Sequence, residues 1–159
     1  MADGVAREGE RAPACAADDV FGVVVGPHAA GAIACGIEAR YSEHMESFEY
    51  VAAKDVVMEL VHAANHYVED SAPWTLAKDP SRSGELADVI RNLLESIRIS
   101  AHLLAPFMPQ TSVEVLRRMG ATGELDCDDL AAACEWGQLA GGVEVTKGDA
   151  LFPRLAAKG

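Results

Sequence analysis

Leu86, Val89, Ile90, Leu93, Leu94, Ile97, Ala101 and Leu104 recur three or four residues apart over about five helical turns. A stripe of that length fixes an amphipathic helix over about 85–104, which must bury one face against other helices. Pro106 ends it, and Pro109 stands where a first-turn proline is tolerated. The chain on either side repeats the pattern. Val56, Val57, Leu60, Val61, Ala64, Tyr67 and Val68 predict a helix over about 53–69 that stops at Ser71-Ala72-Pro73. Ile37, Tyr41, Met45 and Phe48 predict an earlier helix, from about Ile33. Val113, Leu116 and Met119 predict a short one halted by Gly120.

Short connections between helices of this kind give an antiparallel bundle, so the fold class is all-α. The bundle is expected over residues 33–120, preceded by an irregular segment, 1–32, and followed by a C-terminal tail, 121–159. Val23-Val24-Val25 is the one short strand candidate in the first segment. In the tail, Asp128-Asp129 leads an alanine run suited to a helix start. From Trp136 onward, glycines alternate with Leu139, Val143, Val145 and Leu151, which predicts extended or hairpin structure.

A formal net charge of -12 excludes nucleic-acid binding through a broad basic surface, though not a local reading site. The four cysteines, Cys15, Cys35, Cys127 and Cys134, show no C-x-x-C spacing and read as free thiols of a reducing compartment. The charged N-terminus matches neither a secretory signal nor a transit peptide, and the apolar run from Phe21 to Ile37 falls short of a membrane span. There is no phosphate loop and no nucleophile elbow.

Three groups of polar residues bear weighing. Glu59, His62, His66 and Glu69 share a helix face at spacings of three, four and three. Two histidines at i and i+4 can bind zinc, but Ala63 breaks the H-E-x-x-H pattern and the core stripe lies on another face. The solvated side of the helix is the favoured reading, with no metal. Arg91 and Arg98 flank Glu95 and are expected to pair with it rather than with phosphate. His102 reads as a helix-surface histidine.

Trp74 follows Pro73 and so stands at a helix corner. There it either plugs the core or faces outward as a stacking platform. The residues around it carry a resemblance. Ala63-Ala64-Asn65-His66-Tyr67-Val68-Glu69-Asp70-Ser71-Ala72-Pro73-Trp74-Thr75-Leu76-Ala77-Lys78 resembles the A-N-x-Y-(acidic)-x-x-A-P-W-x-L-x-K segment of the methionyl-tRNA synthetase anticodon-binding domain. Arg98 to Pro109 is similar to that family's R-x-x-x-x-L-L-x-P-x-M-P corner. Trp136-Gly137-Gln138-Leu139 and Leu151-Phe152-Pro153-Arg154-Leu155 are similar to its ending.

The resemblance implies the helical bundle that follows the catalytic domain in class I synthetases, and a role in reading the anticodon of methionine tRNA. It places Trp74 on an anticodon base, with Pro73 shaping the corner and Asn65 and Tyr67 supporting it. The complete family enzyme uses ATP and Mg in a catalytic domain whose signature motifs have no counterpart here. This chain is therefore expected to hold no cofactor and to be catalytically incomplete alone. The expected partners are methionine tRNA and a separate or missing synthetase catalytic domain, in the cytoplasm and away from membranes. The family's first-helix Asn and Arg have no match before Ile33. The tail ending in Phe152-Pro153-Arg154 is expected to be loose without the catalytic body. A free-standing helical interaction module, or a degenerate fragment that no longer binds tRNA, is the second reading.

Overall fold

The computed structural model describes residues 34, 36–121, 125 and 129–153. Expectations for residues 1–33, for Cys15, Cys35 and Cys127, and for residues 154–159 lie outside the described residues. Among the described residues six α-helical elements follow in order: α1 (Ile37–Glu46), α2 (Tyr50–Ser71), α3 (Pro73–Leu76), α4 (Ser83–Leu104), α5 (Pro109–Arg118) and α6 (Leu130–Ala133), with a 3-10 turn at Pro80–Arg82. Among the described residues there is no strand, so the all-α expectation holds.

The long stripes find each other. α2 packs on both α1 and α4, and α5 packs on α4. Ile37 and Tyr41 of α1, Ala53, Val57 and Leu60 of α2, and Ile99 and Leu103 of α4 form the main buried cluster. Each fully buried aliphatic side chain contributes roughly 1.5–3 kcal/mol. A second, smaller cluster joins Tyr67, Leu76 and Val89. Across the α1–α2 crossing, Arg40 holds Glu59 through two bonds of 2.8 and 3.0 Å.

One expectation is corrected. The α1 stripe does not continue to Phe48: the helix ends at Glu46, and Phe48 turns out at φ 60 with 76% of its surface exposed. Its ring meets Tyr50 edge-on, at 6.2 Å between centroids. Beyond Cys134 the tail is irregular and extended, as expected, with no hairpin among the described residues, and it is tied to α5 ahead of the exposed Leu151-Phe152-Pro153 end. Thr146 N–H donates to the Arg118 carbonyl at 2.7 Å, and Arg118 Nη1 donates to the Asp149 carbonyl at 2.6 Å. Gly148 lies so close to the Arg118 guanidinium that a Cβ there would sit 2.5 Å from its Cζ. Gly120 stops α5 as expected, at φ 68, with Ala121 N–H returning to the Leu116 carbonyl.

Candidate nucleic-acid interface

The corner at Trp74 is built by three residues in a row. α2 runs to Ser71, and Ala72 then takes a left-handed conformation, φ 42 and ψ 59. Its N–H still returns to the Val68 carbonyl, which closes the helix. Pro73 opens α3 at a position where its missing N–H costs nothing. Leu76 anchors the turn from inside, with 3% of its surface exposed. Two residues of helix rotate a side chain by about 200°, so anchoring Leu76 points Trp74 away from the core. Trp74 is 55% exposed. Of the two roles open to it, the core plug is excluded by this geometry.

The supporting residues divide. Tyr67 is buried in the cluster beneath α3, and its hydroxyl accepts a hydrogen bond from Asn92 Nδ2 at 3.2 Å. It fixes α2 to α4 directly below the corner. Asn65 is exposed and lies at the lip of an apolar groove between α2 and α4. Pro73 is half-buried.

Lys78 closes the A-P-W segment. It stands one helical turn after Trp74, exposed and with no ion pair among the described residues. The i, i+4 spacing from Trp74 was the available signal. The next cation, Arg82, is neutralised by Glu85 through bonds of 2.9 and 2.7 Å. Asp79 accepts from the backbone and hydroxyl of Ser81, which hold its carboxyl below the usual range.

The other polar groups sort themselves away from the corner. Glu59 is taken by Arg40, and His66 Nδ1 lies 3.6 Å from Asp70. Among the described residues no three His, Cys, Asp or Glu side chains come close enough to hold a metal ion. Arg98 pairs with Glu95 as expected, but the pair is buried, with side-chain exposures of 6% and 1%. Arg98 donates to the carbonyls of Ala133 and Glu135, and Glu95 accepts the Leu139 N–H. Arg91 does not join Glu95; it reaches the Leu139 carbonyl at 3.3 Å. These charges therefore hold the Trp136-Gly137-Gln138-Leu139 segment on α4 and are not free to meet phosphate.

Cys134, beside this clamp, is a buried free thiol pushed up to about 12 by burial and Glu38, against the lowering effect of Arg98. Such a thiol is inert at neutral pH. No helix among the described residues is long and apolar enough to cross a membrane.

The chain is similar to known proteins over most of its length. Residues 31–158 match the family model described as the anticodon binding domain of methionyl tRNA ligase. The methionine–tRNA ligase of Bacillus subtilis is 41% identical over 119 residues, covering 74% of this chain and 18% of that protein. The ligase of Streptococcus pneumoniae is 37% identical over 136 residues, covering 86% of this chain and 20% of that protein. The chain thus spans about a fifth of the length of these curated relatives. The crystal structure of the apo form of Mycobacterium tuberculosis methionyl-tRNA synthetase shares the fold, at a TM-score of 0.71 and 23% identity, covering 82% of this chain and 26% of that one. By the residues matched and by its helical architecture, this chain belongs to the family of methionyl-tRNA ligase anticodon-binding domains.

Proposed function

We propose that this chain binds the anticodon loop of methionine tRNA, with Trp74 stacking on an anticodon base. The observation that carries the reading is the exposure of Trp74 on a corner made rigid by Ala72, Pro73 and the buried Leu76. Stacking is worth about 1–3 kcal/mol per base and needs no broad basic surface, which this acidic chain does not have. Pro73 fixes the entry angle of the ring, Tyr67 holds the base of the corner, and Asn65 stands on the adjoining exposed edge of α2. Lys78 supplies a positive charge one turn from the ring.

In this reading the chain is the recognition end of a ligase whose chemistry, with ATP and Mg, belongs to another part of the enzyme. Alone it aminoacylates nothing.

Titration of the full chain carrying Trp136→Phe with the anticodon stem-loop of methionine tRNA tests this. Quenching of Trp74 fluorescence is expected, and Trp74→Ala should weaken binding by about 1–3 kcal/mol, followed by a binding assay that does not rely on fluorescence. Equal binding of a stem-loop with a changed anticodon, or no binding at high micromolar RNA, would exclude anticodon reading.

A further inference from the structure

The corner between α1 and α2 turns its apolar side chains outward. Phe48 and Val51 are the two most exposed large hydrophobic residues among those described, and Tyr50 beside them is also exposed. Apolar side chains scattered singly over a surface are ordinary, but these three follow one another around one tight corner. The corner is firmly closed: Phe48 N–H donates to the Met45 carbonyl at 3.1 Å, and Glu49 N–H to the His44 carbonyl at 2.8 Å. Phe48 is held there at φ 60, a conformation that a bulky side chain rarely adopts and that glycine takes freely. Neither buried cluster includes Phe48, Tyr50 or Val51. The strained backbone therefore presents a ring that the core does not use, which directs attention to a partner.

The surrounding charge selects that partner. Glu43, Glu46 and Glu49 stand within the seven residues that make the corner, all exposed. Glu49 is held by His44 Nδ1 at 2.8 Å, while Glu43 and Glu46 have no ion pair among the described residues. The cations nearby are already matched: Arg40 holds Glu59, and Lys54 holds Asp55. No free positive charge among the described residues of this corner can meet phosphate, so nucleic acid and anionic lipid are repelled. A second copy of a chain at -12 brings more of the same charge.

An arginine suits both parts of the surface. The Phe48 and Tyr50 rings meet edge to face at an interplanar angle of 86°, and the exposed Phe48 ring keeps a π-face open to solvent. A guanidinium stacks on such a face and forks onto a neighbouring carboxylate with two parallel hydrogen bonds. Apolar residues next to it in a partner would cover Val51 and the ring edges.

We infer that the Phe48–Tyr50–Val51 corner docks an arginine-bearing, apolar-interrupted segment of another protein, its guanidinium laid on the aromatic pair and its charge met by Glu43 and Glu46. The inference goes beyond anticodon binding and does not depend on it, because Trp74 lies at the other end of α2.

The probe is a peptide of about ten residues alternating arginine and leucine, titrated into the isotope-labelled full chain and followed by nuclear magnetic resonance. The ring signals of Phe48 and Tyr50 should shift saturably, with affinity falling as salt is raised. The same peptide with citrulline in place of arginine keeps the shape and loses the charge, and should not bind. Phe48→Gly should weaken binding at least about tenfold without lowering the melting temperature, since glycine accepts the left-handed backbone. Glu43→Gln with Glu46→Gln, at exposed positions that leave the fold intact, should weaken binding and flatten its salt dependence. Trp74→Ala should bind the peptide normally. Shifts absent from both rings, or equal affinity for citrulline or for Phe48→Gly, would overturn the assignment. So would a fall in the melting temperature of Phe48→Gly, which would give the ring to the fold. Contacts from the two rings to residues 1–33, or a dimer lost in Phe48→Gly, would hand the surface to this chain itself and equally end the proposal. Loss of stem-loop binding with peptide binding intact would sink the anticodon reading alone.

Discussion

Ala72 is where the corner stores strain. A left-handed conformation costs a residue with a Cβ about 1–2 kcal/mol, and glycine avoids that cost. Ala72→Gly should therefore raise stability by about 1 kcal/mol, less the entropy glycine loses on folding, in urea denaturation. No gain, or a loss, would mean that the alanine methyl has packing worth as much as the strain. Tyr41 is a second residue with a readable cost. It is 2% exposed, and its hydroxyl has no hydrogen-bond partner among the described residues. Burial first, and then the neighbouring Cys134, push the phenol up from 10.0 to about 12. Unfolded, it releases its proton near 10, so the unfolded chain binds fewer protons between these values. Stability is then full below pH 10 and falls as the pH rises from 10 to 12. Tyr41→Phe removes an unsatisfied buried hydroxyl, and should leave stability at pH 8 unchanged or higher by about 1 kcal/mol. It should also flatten the alkaline fall of the melting temperature. An unchanged alkaline limb would assign that loss to Cys134, whose thiol is raised from 9.0 to about 12.

At the scale of elements, α4 is both the central strut and the anchor of the tail. Its apolar side fills the core, while Glu95 and Arg98 on another side grip the backbone from Ala133 to Leu139. Removing one member of a buried pair leaves a lone charge, at a cost of about 3–5 kcal/mol. Arg98→Met should lose about that much stability and expose the 133–139 segment to protease. Glu95→Gln with Arg98→Met should recover part of the loss, since no charge is then stranded. Equal proteolysis of wild type and Arg98→Met would show that the tail is held by its apolar contacts alone. The contrast shows what the sequence could and could not convey. The stripe from Leu86 to Leu104 and the stop at Ser71-Ala72-Pro73 were legible because helical spacing and proline geometry are local. The pairing of Glu95 with Arg98 was legible as an i, i+3 step, but its burial was not, because its other partners are backbone groups over thirty residues away. Phe48 misled because it kept the apolar period one step beyond the helix end. The direction of Trp74 needed one non-local fact, that Leu76 is buried against Tyr67 and Val89.

The whole molecule is acidic, and that decides how it can meet RNA. A protein that neutralises Z phosphates of a single strand loses affinity with salt at a slope of about -0.7Z. Broad basic readers show steep slopes; this chain, at -12, should not. Among the described residues around Trp74, the cation left unpaired is Lys78, since Arg82 is bound to Glu85. A stacking platform with one phosphate contact predicts a slope of about -0.7 for stem-loop binding. Lys78→Ala should bring that slope close to zero while retaining the preference for the methionine anticodon, because a phosphate contact positions the loop without reading it. Trp74→Ala should do the reverse, keeping the slope and losing affinity. Measuring the dissociation constant for both variants from 50 to 200 mM salt separates the two contributions. A steep slope in wild type that survives Lys78→Ala would place the phosphate contacts on another face and remove this corner from the interface.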